Sequence, residues 1–242
     1  MSKIDKNYHN LLERILQEGY TYEDPNRKGV NRLEIPYYTF RHEFKDGFPA
    51  ITTKKLNYKA VVTELIWFLR GDTNIKYLVD NGCNIWNKDA YNYYNKLTAN
   101  TQTKEEFERG IHIKNHIAGE LGPVYGAQWR KWSTNKPTVI GHNGTHNIFG
   151  EIVVDQIQRL ITNLKEKPLA TDHIVNSWNV GDLQDMALPP CHYGFQVVVR
   201  PLNKIKCDCS ESKAIYCGSK CQIPQYGFEL HWQQRSVDTF LG

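Results

Sequence analysis

MALPPCHYGFQVVVRPL, Met186–Leu202, places one cysteine at the junction of a loop and a strand. Pro189 and Pro190 fix the backbone just ahead of Cys191, and the run from Tyr193 onward reads as a strand. HIVNSWNV (His173–Val180) and YGFELHWQQRS (Tyr226–Ser236) read as strands too. Between and before them lie helical patterns. In YHNLLERILQEGY, Tyr8, Leu11, Leu12, Ile15 and Leu16 follow helical spacing and Gly19 supplies a stop. NYKAVVTELIWFLRGDTNIKYLVDNG predicts two helices, the first almost wholly apolar from Ala60 to Leu69, the second opened by Asp72 or Thr73 as cap and closed by Gly82. IVVDQIQRLITNLKEKP predicts an amphipathic helix through Val154, Ile157, Leu160, Ile161 and Leu164, ended by Pro168. RLEIPYYTFRHEF alternates as a strand, with Pro36 arguing for an edge or a bulge. Helices and strands mix without regular βαβ alternation, so the expected class is α+β.

A chain of 242 residues, 40% hydrophobic and 12% aromatic, can bury one sizeable core, and a single domain over 1–242 is expected. Two stretches read as insertions, about 88–119 and 203–226. The first is rich in Asn and Tyr, reads as an elaborated surface segment and carries a capping box, Thr103 with Glu106. The net charge of +4 is spread along the chain, which suits a small anionic ligand better than nucleic acid. No run approaches the ~18 apolar residues of a membrane helix, and the polar N-terminus is unlike a signal peptide, so the expected location is the cytoplasm, where thiols stay reduced.

Cys191 reads three ways: nucleophile, metal ligand or small buried hydrophobe. Glu64, inside an otherwise apolar helix whose remaining positions look buried, is either salt-bridged for structure or held for proton transfer. Arg235 and Asp238 in QQRSVDTFLG are ambiguous in the same way, since such residues at strand ends usually form solvated ion pairs. Arg27, Lys28 and Arg32 gather in the loop EDPNRKGVNR. Cys207, Cys209, Cys217 and Cys221 form C-x-C-x7-C-x3-C, a ligand set for a closed structural zinc site, weighed against four unligated thiols.

DGFPAITTKKL, ELIWFLRGDTNIKYL, LGPVYGAQWRKW, SWNVGDLQDMALPPCH and QQRSVDTFLG together resemble, in order, successive blocks of the thymidylate synthase family. The resemblance implies that family's three-layer α+β fold around a mixed sheet, and a homodimer whose active sites borrow residues from the partner. It implies reductive methylation of dUMP to dTMP with 5,10-methylenetetrahydrofolate as co-substrate. Cys191 would add to C6 of dUMP, with Glu64 as proton-relay carboxylate and Tyr125 working with ordered water near C5. Arg235 would steady the thiolate. Arg27, Arg235 and Ser236 would hold the phosphate, with His192 also on the nucleotide side. Trp86 would lie beside the folate ring, and Asp238 would hydrogen-bond the pterin and also count among the substrate-binding residues.

Three departures accompany the resemblance. Thr171 and Asp172 stand where the family has two adjacent arginines reaching across the dimer to the neighbour's phosphate, with His173 the candidate substitute. Asn57 stands at a folate-contacting position where many members have histidine. The sequence ends at Gly242, just before the family's LPFN segment, so the fold is expected to be incomplete at the C-terminus and to pair with a downstream complementing fragment. The alternatives are a dUMP or dCMP hydroxymethylase and a catalytically dead fragment acting as a subunit or RNA-binding remnant.

Overall fold

The computed structural model describes residues 2–25, 28–99, 101, 103–113, 117–139, 147–202 and 226–239. The chain divides into two compact units, Met1–Tyr58 with Asp238–Gly242, and Lys59–Val237.

In the first unit, α1 (Lys3–Glu18) begins with a capping box. The Asp5 N–H donates to the Ser2 hydroxyl at 3.1 Å while the Ser2 N–H donates to the Asp5 carboxylate at 3.2 Å. The same carboxylate accepts from the Thr52 N–H and hydroxyl, each at 2.7 Å, so a buried charge is satisfied on all sides. β1 (Tyr20–Glu23) and β2 (Asn31–Glu34) form an antiparallel hairpin. The strand expected to continue through Pro36 stops at Glu34, because proline cannot donate to a ladder.

The second unit contains the main core. α2 (Tyr58–Leu69) buries Thr63, Trp67 and Phe68, while Val61, Val62, Leu65 and Ile66 stay exposed. The expectation that the remaining positions of this helix are buried is therefore corrected: one face, with Thr63, Trp67, Phe68, partly buried Ala60 and Glu64, turns inward, and the opposite face is exposed. α3 (Lys76–Asp80) is not capped by Asp72 or Thr73; the Asn74 side-chain carbonyl accepts from the Lys76 N–H at 2.9 Å instead. α4 (Asn87–Leu97) and α5 (Lys104–His112) occupy the segment read as a surface elaboration, and they send Ala90, Tyr94, Phe107 and Ile111 into the core. The capping box of Thr103 and Glu106 is present.

α6 (Tyr125–Arg130) leads into a hairpin that the sequence pattern did not reveal, β3 (Trp132–Val139) with β4 (Asn147–Val154). Val154 thus ends a strand, and Asp155 caps α7 (Gln156–Glu166) by accepting from the Gln158 N–H at 2.8 Å. A three-stranded sheet follows, in the order β5 (Ile174–Asn176), β6 (His192–Pro201), β7 (Tyr226–Gln234). Its three strands lie where strands were expected. Every pairing among the described strands is antiparallel, so the fold is α+β, and the mixed sheet implied by the family resemblance does not appear among the described residues. No described helix is long and apolar enough to cross a membrane.

Candidate active site

Cys191 sits at the start of β6, and the register of that strand decides its neighbours. His192 pairs with Gln234 and Gly194 with Gln233, which leaves a bulge at Tyr193. Bulges re-aim side chains at strand ends. Because Gln234 lies opposite His192, the next residue along falls beside the cysteine: the Arg235 N–H donates to the Cys191 carbonyl at 2.8 Å. The guanidinium then folds back over the loop, where Nε donates to the Pro190 carbonyl at 2.9 Å and Nη2 to the Pro189 carbonyl at 3.0 Å. Nη2 also lies 4.0 Å from the Cys191 sulfur. No carboxylate pairs with Arg235 among the described residues. The solvated ion pair weighed for it is thereby replaced by two backbone carbonyls and a thiol. The Pro-Pro lead-in offers those carbonyls because proline has no N–H and its backbone contributes only acceptors.

Behind the cysteine, the Tyr125 hydroxyl accepts from the Cys191 N–H at 2.8 Å. Two glycines allow α6 to come this close. Gly122 has φ +72°, and a Cβ there would lie 1.9 Å from the Asp185 carbonyl oxygen, in the loop that leads to Cys191. A Cβ at Gly126 would lie 2.3 Å from the Asp72 carbonyl oxygen. Burial pushes the Tyr125 phenol well above its usual range, so it stays protonated. The His192 ring stacks on Tyr125 with centroids 4.2 Å apart, and Phe68 and Trp232 pack at 5.8 and 5.0 Å from the same imidazole. Burial lowers the His192 pKa to about 4, which leaves it neutral near pH 7.

Glu64 projects from α2 into the same aromatic cluster. Its pKa is raised above the ordinary carboxylate value by burial, against the opposing effect of a hydrogen bond from Trp86 Nε1 at 2.7 Å. Among the described residues no cation pairs with it, which removes the salt-bridge reading and leaves a poised carboxyl held by an indole. Trp86 in turn lies 6.1 Å from the Tyr125 ring.

The second unit therefore gathers Glu64, Trp86, Tyr125, Cys191, His192 and Arg235, with exposed Ser236 next in the chain. Asn57 and Asp238 belong to the first unit, and Arg27 lies outside the described residues. Cys207, Cys209, Cys217 and Cys221 also lie outside them; among the described residues no group of His, Cys, Asp and Glu could hold a metal ion. The expectation for His173 is corrected. It is 1% exposed and bonded through Nε2 to the Pro168 carbonyl at 3.1 Å, so it cannot stand in for a phosphate-binding arginine. Its neighbour Asp172 forms an exposed pair with Arg159 at 3.6 Å. Phe68, Trp178 and Trp232, which line the cysteine's surroundings or touch Arg235, were not singled out from sequence, although Phe68 and Trp178 lie inside two of the quoted blocks and Trp232 inside the strand read over Tyr226–Ser236.

The family model described as thymidylate synthase matches residues 6–242. A thymidylate synthase of Mycoplasma genitalium is 40% identical over 241 residues, an alignment covering 98% of this chain and 68% of that relative.

Proposed function

The chain belongs to the thymidylate synthase family, and from that premise we propose that Cys191 is the nucleophile in the reductive methylation of dUMP to dTMP. The observation that carries this reading is the cysteine's setting: a guanidinium nitrogen lies 4.0 Å from the sulfur, and the Cys191 backbone N–H donates to a tyrosine hydroxyl at 2.8 Å. A thiolate needs a nearby cation, and Arg235 supplies one that no carboxylate among the described residues neutralises.

The sulfur forms a bond to C6 of dUMP, and the C5–C6 π electrons pass to C5, which becomes carbanion-like and attacks the one-carbon unit. 5,10-Methylenetetrahydrofolate supplies that carbon and the hydride and leaves as dihydrofolate, while C5 loses its proton and the C6–S bond breaks to return the Cys191 thiolate. Glu64, its pKa raised by burial, exchanges protons with the pyrimidine. His192 faces the nucleotide as a neutral imidazole and contributes hydrogen bonding without charge. The protonated Tyr125 hydroxyl holds the Cys191 backbone and can order water on the C5 side. Trp86 offers an aromatic edge to the folate ring, with Asp238 and Asn57 as polar folate contacts. Arg27, Arg235 and Ser236 take the phosphate; a guanidinium fork matches phosphate oxygens. Kinship supports a homodimer working in the cytoplasm.

Incubation with 5-fluoro-dUMP and methylenetetrahydrofolate tests the assignment. Peptide mass spectrometry should find a covalent nucleotide on Cys191, and dUMP should yield dTMP. An adduct on another cysteine, or a 5-hydroxymethyl product, would overturn it.

A further inference from the structure

We propose that Trp178 is a positioning residue that holds the Arg235 guanidinium against the Cys191 sulfur. This rests on the reading of Cys191 and Arg235 above and extends it to a side chain that acts through the guanidinium it faces.

Among the described residues, the guanidinium of Arg235 is tied in its own plane along one edge, by the Pro189 and Pro190 carbonyls. Bonds along one edge leave the group free to rock about that edge. A contact from a second direction stops the rocking, and the indole of Trp178 supplies it, with its ring centroid 5.9 Å from Arg235 Cζ. The backbone that carries the indole is fixed. The Ser177 N–H donates to the Tyr193 carbonyl at 2.8 Å, and the buried Ser177 hydroxyl accepts from Trp129 Nε1 at 2.7 Å. Asn179 on the other side is held by Asp182 at 3.0 Å.

The indole itself remains 37% exposed between buried Ser177 and half-buried Asn179. Its burial therefore does not account for its place. Its face toward a cation does: an aromatic quadrupole attracts the guanidinium without offering the hydrogen-bond acceptor that would compete with the thiolate or a phosphate. A carboxylate in the same place would hold the arginine more tightly but cancel the charge the sulfur needs.

The experiment uses the full chain and reads the rate of Cys191 alkylation by iodoacetamide at neutral pH, resolved by peptide mass spectrometry from the other five cysteines. Trp178→Leu should slow this rate roughly three- to tenfold, the scale of one lost cation–π contact, and Trp178→Phe should recover most of it. Arg235→Met should slow it at least as much, and the double variant should be no slower than Arg235→Met alone. Wild-type reactivity in Trp178→Leu, or additive loss in the double variant, overturns the proposal. If Arg235→Met itself changes nothing, the reading of Arg235 as thiolate stabiliser falls with it; loss at Arg235 without loss at Trp178 overturns this inference alone. Should Trp178→Leu fail to fold, fluorinated tryptophans placed at 178 keep the shape and weaken the ring face stepwise. Alkylation that declines with fluorination supports the role, and alkylation that ignores it overturns the role.

Discussion

Trp86 Nε1 donates to Glu64 Oε1 at 2.7 Å, and that single bond opposes the burial that raises the carboxyl's pKa. Trp86→Phe removes the donor and keeps an aromatic ring. The Glu64 pKa should then rise further, and the inflection it contributes to the pH dependence of kcat should move to higher pH. An unmoved inflection would mean that the indole does not tune this group.

Glu64→Gln separates chemistry from stability. The turnover number should fall on the order of 10²–10⁴-fold, as for loss of a general acid–base group. Stability should change in the opposite sense. A carboxyl whose folded pKa is raised contributes stability that is fully present below its unfolded pKa and is lost as pH rises through the folded value. At pH 7 the glutamine variant should therefore resist denaturant better than the parent, and the difference should close as the pH falls below about 4.3, the ordinary glutamate value. Urea titrations at pH 7 and pH 4 check both signs.

Tyr125→Phe leaves the Cys191 N–H without its partner in a crowded aromatic setting. An orphaned buried donor costs about 1–3 kcal/mol, and here the cost falls on the backbone of the nucleophile. The yield of covalent 5-fluoro-dUMP adduct should drop, with a larger effect on kcat than on the KM for dUMP. An unchanged adduct yield would place the hydroxyl outside the chemistry.

Much of the frame was readable because the physical signals were local. Gly19 ends α1, Gly82 at φ +76° follows α3, and Thr103 with Glu106 announce α5. α4 escaped because its inward face uses Ala90 and Tyr94 amid Asn and Lys, so a search for aliphatic periodicity passes over it; the aromatic spacing of Tyr91 and Tyr94 was the signal available. The start of α3 was misread because Asn74 accepts from a residue only two further on, inside a turn that propensity alone does not place. The site depends on pairing between segments far apart in sequence. That Cys191 and Arg235 meet follows from the β6–β7 register, and that Tyr125 reaches the same backbone follows from the space left at Gly122. Neither is encoded in a spacing, so the residues could be named by family likeness while their contacts could not.

In the first unit, Asp5 is the sharpest stability prediction. Its carboxyl is held well below the usual range, first by the Thr52 N–H and then by the Ser2 and Thr52 hydroxyls. A depressed folded pKa gives stability that is present above the unfolded aspartate value and lost as pH falls through the folded one. Asp5→Asn should lower the denaturation midpoint at pH 7, and the gap to the parent should narrow once the pH drops below about 3.9. A constant gap across that range would assign the loss to the altered cap alone.

The last prediction concerns the phosphate. The family resemblance implies two arginines at the positions of Thr171 and Asp172, reaching a neighbouring subunit's nucleotide. Here Asp172 spends its charge on Arg159 at 3.6 Å, with both side chains more than half exposed. Such a pair contributes little to stability, so replacing Asp172 should leave the fold intact. His173 is buried and bonded to Pro168, and offers the phosphate nothing. Thr171→Arg with Asp172→Arg should then add charge-assisted bonds worth about 1.5–3 kcal/mol each where the dimer brings them to the nucleotide, tightening dUMP at least about tenfold. The gain should shrink as salt rises, because the added charges are exposed. Calorimetric titration with dUMP at two ionic strengths measures it; unchanged affinity would show that the phosphate is held by other groups and that the paired positions are dispensable in this chain.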